Sequence, residues 1–319
     1  MQGTAIHEAS DGLCVIAPTP FSDDGTIDAA STDSMVDFFA ASGAKGLTIL
    51  GVMGEAPKLA PEEARAFIRQ VIARTGGHIP VVVGVSGPSF AAMGNLARFS
   101  MDAGAGGVMI APQPGLQGDE AVERHLAAAF AAVGSTVPIC LQDFPPINGV
   151  HISVRTVVRL TAEHPNLVMF KHEDFPGLNK LSRLRAEASA SGGRRLSVLV
   201  GNSGVFLPHE LDRGADGAMT GFAFPEMLAE VCRRHAAGDR TGAYDLFDAY
   251  LPLVRYEQQP GIGLALRKEI LRRRGVLRSA AVRSPGPTLS GTDHAELLYL
   301  MGRLNPDARS VLISTVGLP

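Results

Sequence analysis

Short apolar runs bounded by glycine or proline recur along the chain at intervals of about 30 residues, each followed by a stretch with helical spacing of apolar positions. The runs fall at residues 13–17, 46–51, 80–85, 107–111, 137–141, 167–171, 196–201 and 217–221. Repeated strand–helix units of this kind build a parallel sheet, and eight of them predict an α/β fold of the (β/α)₈ TIM-barrel type. Helix boundaries agree with this reading. Pro61, Glu62 and Glu63 form a first turn, and Ser153 is placed to cap a helix over 154–164. After Pro225 the strand pattern stops and helical spacing takes over at 226–237, 241–256, 262–274 and 292–304, with a Pro-, Gly- and Ser-rich loop over 279–291. The expected division is a barrel over residues 1–229 and a C-terminal helical extension over 230–319.

Composition narrows the function classes. The chain has 319 residues, 45% hydrophobic and 19% charged, enough for one large core. Its net charge of −3 is spread with mixed signs, which argues against a nucleic-acid or anionic-lipid surface and for a small uncharged or anionic metabolite. Cys14, Cys140 and Cys232 are too far apart for a metal knuckle and read as reduced core thiols. Residues 1–12, with His7, Glu8 and Asp11, lack the layout of a secretion signal, and no apolar stretch reaches the roughly 18 residues that span a bilayer. The expectation is a cytoplasmic protein with no membrane partner.

In such a barrel, reactive groups sit where the strands end. The inventory there is Thr19, the segment from Gly51 to Glu55, Ser86, Gln113, Gln142, Asp143, Lys171, His172, Glu173, Asp174, Asn202, Ser203, Thr220 and Gly221. Lys171 stands out because it ends an apolar strand, where desolvation disfavours the ammonium and leaves an amine able to attack a ketone. The plain alternative is a lysine that snorkels to the rim and pairs with Glu173 or Asp174.

Several segments, in order, carry a resemblance to the dihydrodipicolinate synthase and N-acetylneuraminate lyase family of class I lyases and aldolases. Gly51, Val52, Met53, Gly54 and Glu55 resemble that family's Gly-Thr-Thr-Gly-Glu loop, whose backbone N–H groups hold the carboxylate of pyruvate. Phe170 and Lys171 resemble its Schiff-base lysine segment. Leu199 to Asn202, Gly214 to Gly217 with Pro225, Leu264 to Ile270 with Gly275, and Val282 to Pro285 resemble its later signatures. The resemblance implies a lysine imine with a 2-oxo acid, no cofactor, no metal, and a homo-oligomer, tetramer or dimer.

The chain departs from the family pattern where protons are moved. The family has a tyrosine after strand five, a relaying threonine in the loop, and a second tyrosine after strand four; here the positions read Gln142, Val52 and the segment Pro112, Gln113, Pro114. All four tyrosines, Tyr244, Tyr250, Tyr256 and Tyr299, lie in the C-terminal helices. Another acid–base group is therefore required. Glu173 shares the side of Lys171 if the extended backbone continues two residues, and Asp143, Glu55 and His172 are the other candidates. The expected catalytic set is Lys171, Glu173, Asp143 and Gln142. The expected binding set is Thr19, Gly51, Val52, Met53, Gly54, Glu55, Asn202, Thr220 and Gly221, with the N–H groups of Met53 and Gly54 facing an anion. Val52, Met53, Pro114 and Phe144 make the mouth apolar, which favours a bulkier substrate tail.

Two rival readings follow from the same residues. His172, Glu173, Asp174 and Asp143 are ligand types for a divalent ion, but without a spaced metal motif. A barrel that binds a 2-oxo acid or sugar acid without catalysis would keep Lys171 as a charge, held between two carboxylates.

Overall fold

The computed structural model describes residues 4–304, so residues 305–319 of the expected extension lie outside the described residues. Its eight strands are β1 Gly12–Ile16, β2 Gly46–Ile49, β3 Val81–Gly84, β4 Gly107–Ile110, β5 Ile139–Asp143, β6 Leu167–His172, β7 Ser197–Val200 and β8 Gly217–Thr220. All pair in parallel with their sequence neighbours, and β8 pairs with β1, closing the barrel. The fifth strand runs later than the 137–141 expected from the sequence. Pro138 has no N–H to give the ladder, so pairing starts with Ile139 N–H on Asn166 O and continues to Asp143.

Strand alternation splits the core in two. Cys14, Ile16, Val82, Met109, Cys140 and Met219 fill the barrel interior. Leu13, Val15, Leu47, Ile49, Val81 and Val83 face the helix layer in a larger cluster. Period two therefore decides which rim residues look into the mouth and which look away from it.

Helix ends follow the sequence signals. Ser153 Oγ accepts the Thr156 N–H at 3.1 Å, capping Val154–Glu163. The C-terminal helices are Pro225–Ala236, Arg240–Glu257, Gly263–Arg273 and Gly291–Gly302. The first of these runs through residues 229 and 230 and packs on β1. No helix among the described residues is long and apolar enough to cross a membrane.

Candidate active site

At the C-terminal ends of β5 and β6, Gln142 and Lys171 are register partners. Cys140 and Met169 face the interior, so two residues further along each strand Gln142 and Lys171 face it as well. The backbone stays extended one residue past β6, with Glu173 N–H on Asp143 O at 2.9 Å, and this brings Glu173 to the side of Lys171. Lys171 Nζ lies 2.9 Å from Glu173 Oε2, and Gln142 Nε2 donates to the same oxygen at 2.6 Å. Lys171, Glu173 and Gln142 are all buried. Among the described residues Glu173 is the one carboxylate paired with Lys171.

Neighbouring strands are shaped around this carboxylate. A Cβ on Gly201 would lie 2.2 Å from Glu173 Oε1, so only glycine admits the side chain there. Asn202, in the left-handed region at φ 53, donates Nδ2 to Glu173 O at 3.2 Å. Below lies an uncharged floor: burial pushes the Cys14 thiol up to about 11 against a contact with Thr48, and pushes Cys140 up further. A lysine amine beside a carboxylate sets a nucleophile for carbonyl addition next to a group of the kind that moves protons on the resulting adduct.

Asp143 and His172 are set apart from this cluster. As the next residues along β5 and β6, they point to the helix layer, where Asp143 Oδ2 accepts Lys180 Nζ at 2.7 Å and lies 3.4 Å from His172 Nδ1. Lys180 also holds Asp174 at 3.1 Å, and His172 Nε2 contacts Gly177 O at 3.0 Å. Burial works against a charged His172, yet the Asp143 carboxylate and Gly177 O outweigh it and raise its pKa. The expected catalytic place of Asp143 is corrected on this ground: its carboxylate lies behind the strand and is committed to Lys180. His172, Asp143 and Asp174 likewise share no site with Glu173, and no group of three or more metal-ligand side chains occurs among the described residues.

The binding candidates also divide. Val52–Gly54 is a short 3-10 turn in which Gly54 N–H returns to Gly51 O at 3.0 Å, so the free backbone donors are those of Val52 and Met53 rather than Met53 and Gly54. Met53 packs on the interior cluster, while Val52 is exposed. Thr19 Oγ1 donates to Gly54 O at 2.7 Å and orders the turn. Glu55 is not open to a ligand. Its carboxylate accepts Lys268 Nζ at 2.6 Å, Lys58 Nζ at 2.8 Å and Arg283 N–H at 3.0 Å, tying the turn to the C-terminal extension. Burial holds the Lys268 ammonium below its usual range despite Glu55.

Thr220 shares its face with Ala218, a member of the outer cluster, and so points away from the mouth. Gly221 faces inward, but a Cβ there would lie 2.3 Å from Arg267 Nη1, so the space is already taken by a guanidinium. Lys268 and Arg267 are the residues that reading the strand ends misses. Their signal in the sequence is a pair of cations inside the Gly263–Arg273 helix where the flanking positions, Ala265, Leu266, Ile270 and Leu271, are all buried.

Fold and site together define a barrel with a buried lysine amine and a carboxylate in contact at the strand ends. Comparison with known proteins makes the class specific. The profile of the dihydrodipicolinate synthetase family matches residues 9–301, and the chain belongs to this family of lyases. It is 30% identical over 298 residues to L-2-keto-3-deoxyarabonate dehydratase of Azospirillum brasilense, covering 92% of this chain and 94% of the relative. It is 32% identical over 232 residues to 4-hydroxy-tetrahydrodipicolinate synthase of Sorangium cellulosum, covering 70% and 73%. Among solved structures, the dihydrodipicolinate synthase of Rhodopseudomonas palustris superposes with a TM-score of 0.93 at 48% identity, covering 95% of this chain and all of that one.

Proposed function

We propose that the protein is a Schiff-base hydro-lyase that removes water from a 2-oxo-3-deoxy sugar acid, with Lys171 as the imine-forming amine and Glu173 as the proton-transfer group. The observation that carries this reading is the contact of Lys171 Nζ and Gln142 Nε2 with one oxygen of Glu173, at the place where the family's tyrosine relay is missing. The similarity to a keto-deoxy sugar acid dehydratase over nearly the whole chain supports the substrate class.

In the proposed reaction, Lys171 adds to the C2 carbonyl and water leaves as the iminium forms. The iminium acidifies C3. Glu173 takes a C3 proton, the electron pair becomes the enamine C2=C3 bond, and expulsion of the C4 hydroxyl as water, protonated by Glu173, gives the conjugated iminium. Hydrolysis then restores Lys171. Gln142 holds Glu173 against the amine, and the Val52 and Met53 N–H groups receive the substrate carboxylate. The exposed, apolar Val52 suits a tail longer than that of pyruvate. The reading includes a cytoplasmic homo-oligomer, dimer or tetramer, as the family resemblance implies.

The test is a panel of 2-oxo-3-deoxy pentonates and hexonates followed by mass spectrometry. A product lighter by one water from at least one member is expected. Release of pyruvate and an aldehyde instead would replace dehydration with aldol cleavage.

A further inference from the structure

The mouth is built partly by the C-terminal extension, and one of its side chains reaches Glu173 through a single loop. Arg267, 3% exposed, comes from the Gly263–Arg273 helix. Its Nε donates to Glu257 Oε1 at 2.5 Å, and Nη2 donates to Ser203 Oγ at 3.0 Å. Ser203 Oγ in turn donates to Gln258 Oε1 at 2.5 Å, and Nη1 fills the notch beside Gly221. Asn202 and Ser203 both sit at φ 53, two non-glycine residues in the left-handed region, followed by Gly204 at φ 72. Such a turn persists only when its surroundings hold it. The residues just before and within it are the ones that touch Glu173: Gly201 backs Oε1, and Asn202 Nδ2 holds the Glu173 carbonyl.

We propose that Arg267 is a positioning residue for Glu173, fixing the strained Asn202–Ser203 turn so that the Glu173 carboxylate stays against Lys171 and the carbon it deprotonates. This rests on the reading of Glu173 as the group that moves the C3 proton. Arg267 itself touches neither Lys171 nor Glu173, so its loss should disturb proton transfer without removing the amine. A misplacement of the order of 1 Å at a reacting group costs up to about 100-fold in rate.

Pyruvate separates the two steps, because imine formation and methyl-proton exchange are read independently. The full-length protein and its R267K and S203A variants are incubated with saturating pyruvate. Borohydride trapping with intact-mass measurement gives the imine fraction, and loss of the methyl proton signal in D₂O gives the exchange rate. Lysine keeps a charge facing Glu257 but lacks the guanidinium fork that spans Glu257 and Ser203, whereas S203A removes only the hydroxyl. Both variants should trap pyruvate to within about twofold of wild type while exchange falls about 10- to 100-fold. A general loss of folded protein would lower both readouts in proportion, and that result, or exchange equal to wild type, overturns the proposal. Wild-type protein that traps pyruvate but does not exchange it removes the Glu173 reading and this proposal with it; wild-type exchange matched by the variants removes this proposal alone.

Discussion

Glu173 meets Lys171 and Gln142 through one oxygen and turns the other toward the Gly201 backbone. A Glu173→Gln substitution keeps the shape and a hydrogen-bonding oxygen but removes the proton acceptor. Water elimination should fall about 10²- to 10⁴-fold, as expected for a lost general acid–base group, while Lys171 remains trappable; turnover within about threefold of wild type would assign proton transfer elsewhere. Period-two alternation made Glu173 legible once Lys171 was taken as inward-facing. The same alternation excludes Asp143, but β5 is apolar on both faces, so Cys140 and Leu141 do not reveal in sequence which one looks into the barrel. Arg267 was harder still, since it reaches the mouth from a helix that follows the last strand.

At the scale of elements, all eight strands were visible as apolar runs, whereas the turn at Val52–Gly54 was not. Its 3-10 geometry consumes the Gly54 N–H and depends on Thr19 and on distant Lys268 and Arg283, contacts that no local pattern encodes. The helix Leu207–Asp212 carries a buried acid of a different kind. Burial lifts the Glu210 carboxyl from 4.5 to about 8; nearby His172 opposes the shift and Glu173 adds to it. The folded state thus keeps a proton that the unfolded chain releases. This contribution to stability is complete below pH 4.5 and is lost as pH rises through about 8. The melting temperature of Glu210→Gln, whose amide stays neutral, should therefore gain on that of wild type between about pH 5 and pH 8. A difference constant across that range would show that Glu210 does not titrate there.

For the whole molecule, the family profile spans residues 9–301 and the Rhodopseudomonas palustris structure covers 95% of this chain, while the side chains beside Lys171 do not follow the tyrosine pattern. Tyr244 bonds Asp212 and His209, Tyr256 bonds Glu296, Tyr250 packs on Phe224, and Tyr299 lies largely in solvent, so none of the four stands beside Lys171. Condensation of pyruvate with aspartate semialdehyde should therefore be negligible; turnover in the usual range of about 1 to 10³ per second would show that Glu173 and Gln142 replace the relay for that reaction too. Light scattering should give a dimer or tetramer of the 33.5 kDa chain, and a stable monomer would separate assembly from the inherited fold. The most direct measurement remains borohydride trapping with pyruvate followed by peptide mapping. A single reduced adduct on Lys171 is predicted, and an adduct on Lys45, Lys58 or Lys180 in its place, or none with any 2-oxo acid, would contradict the Schiff-base assignment.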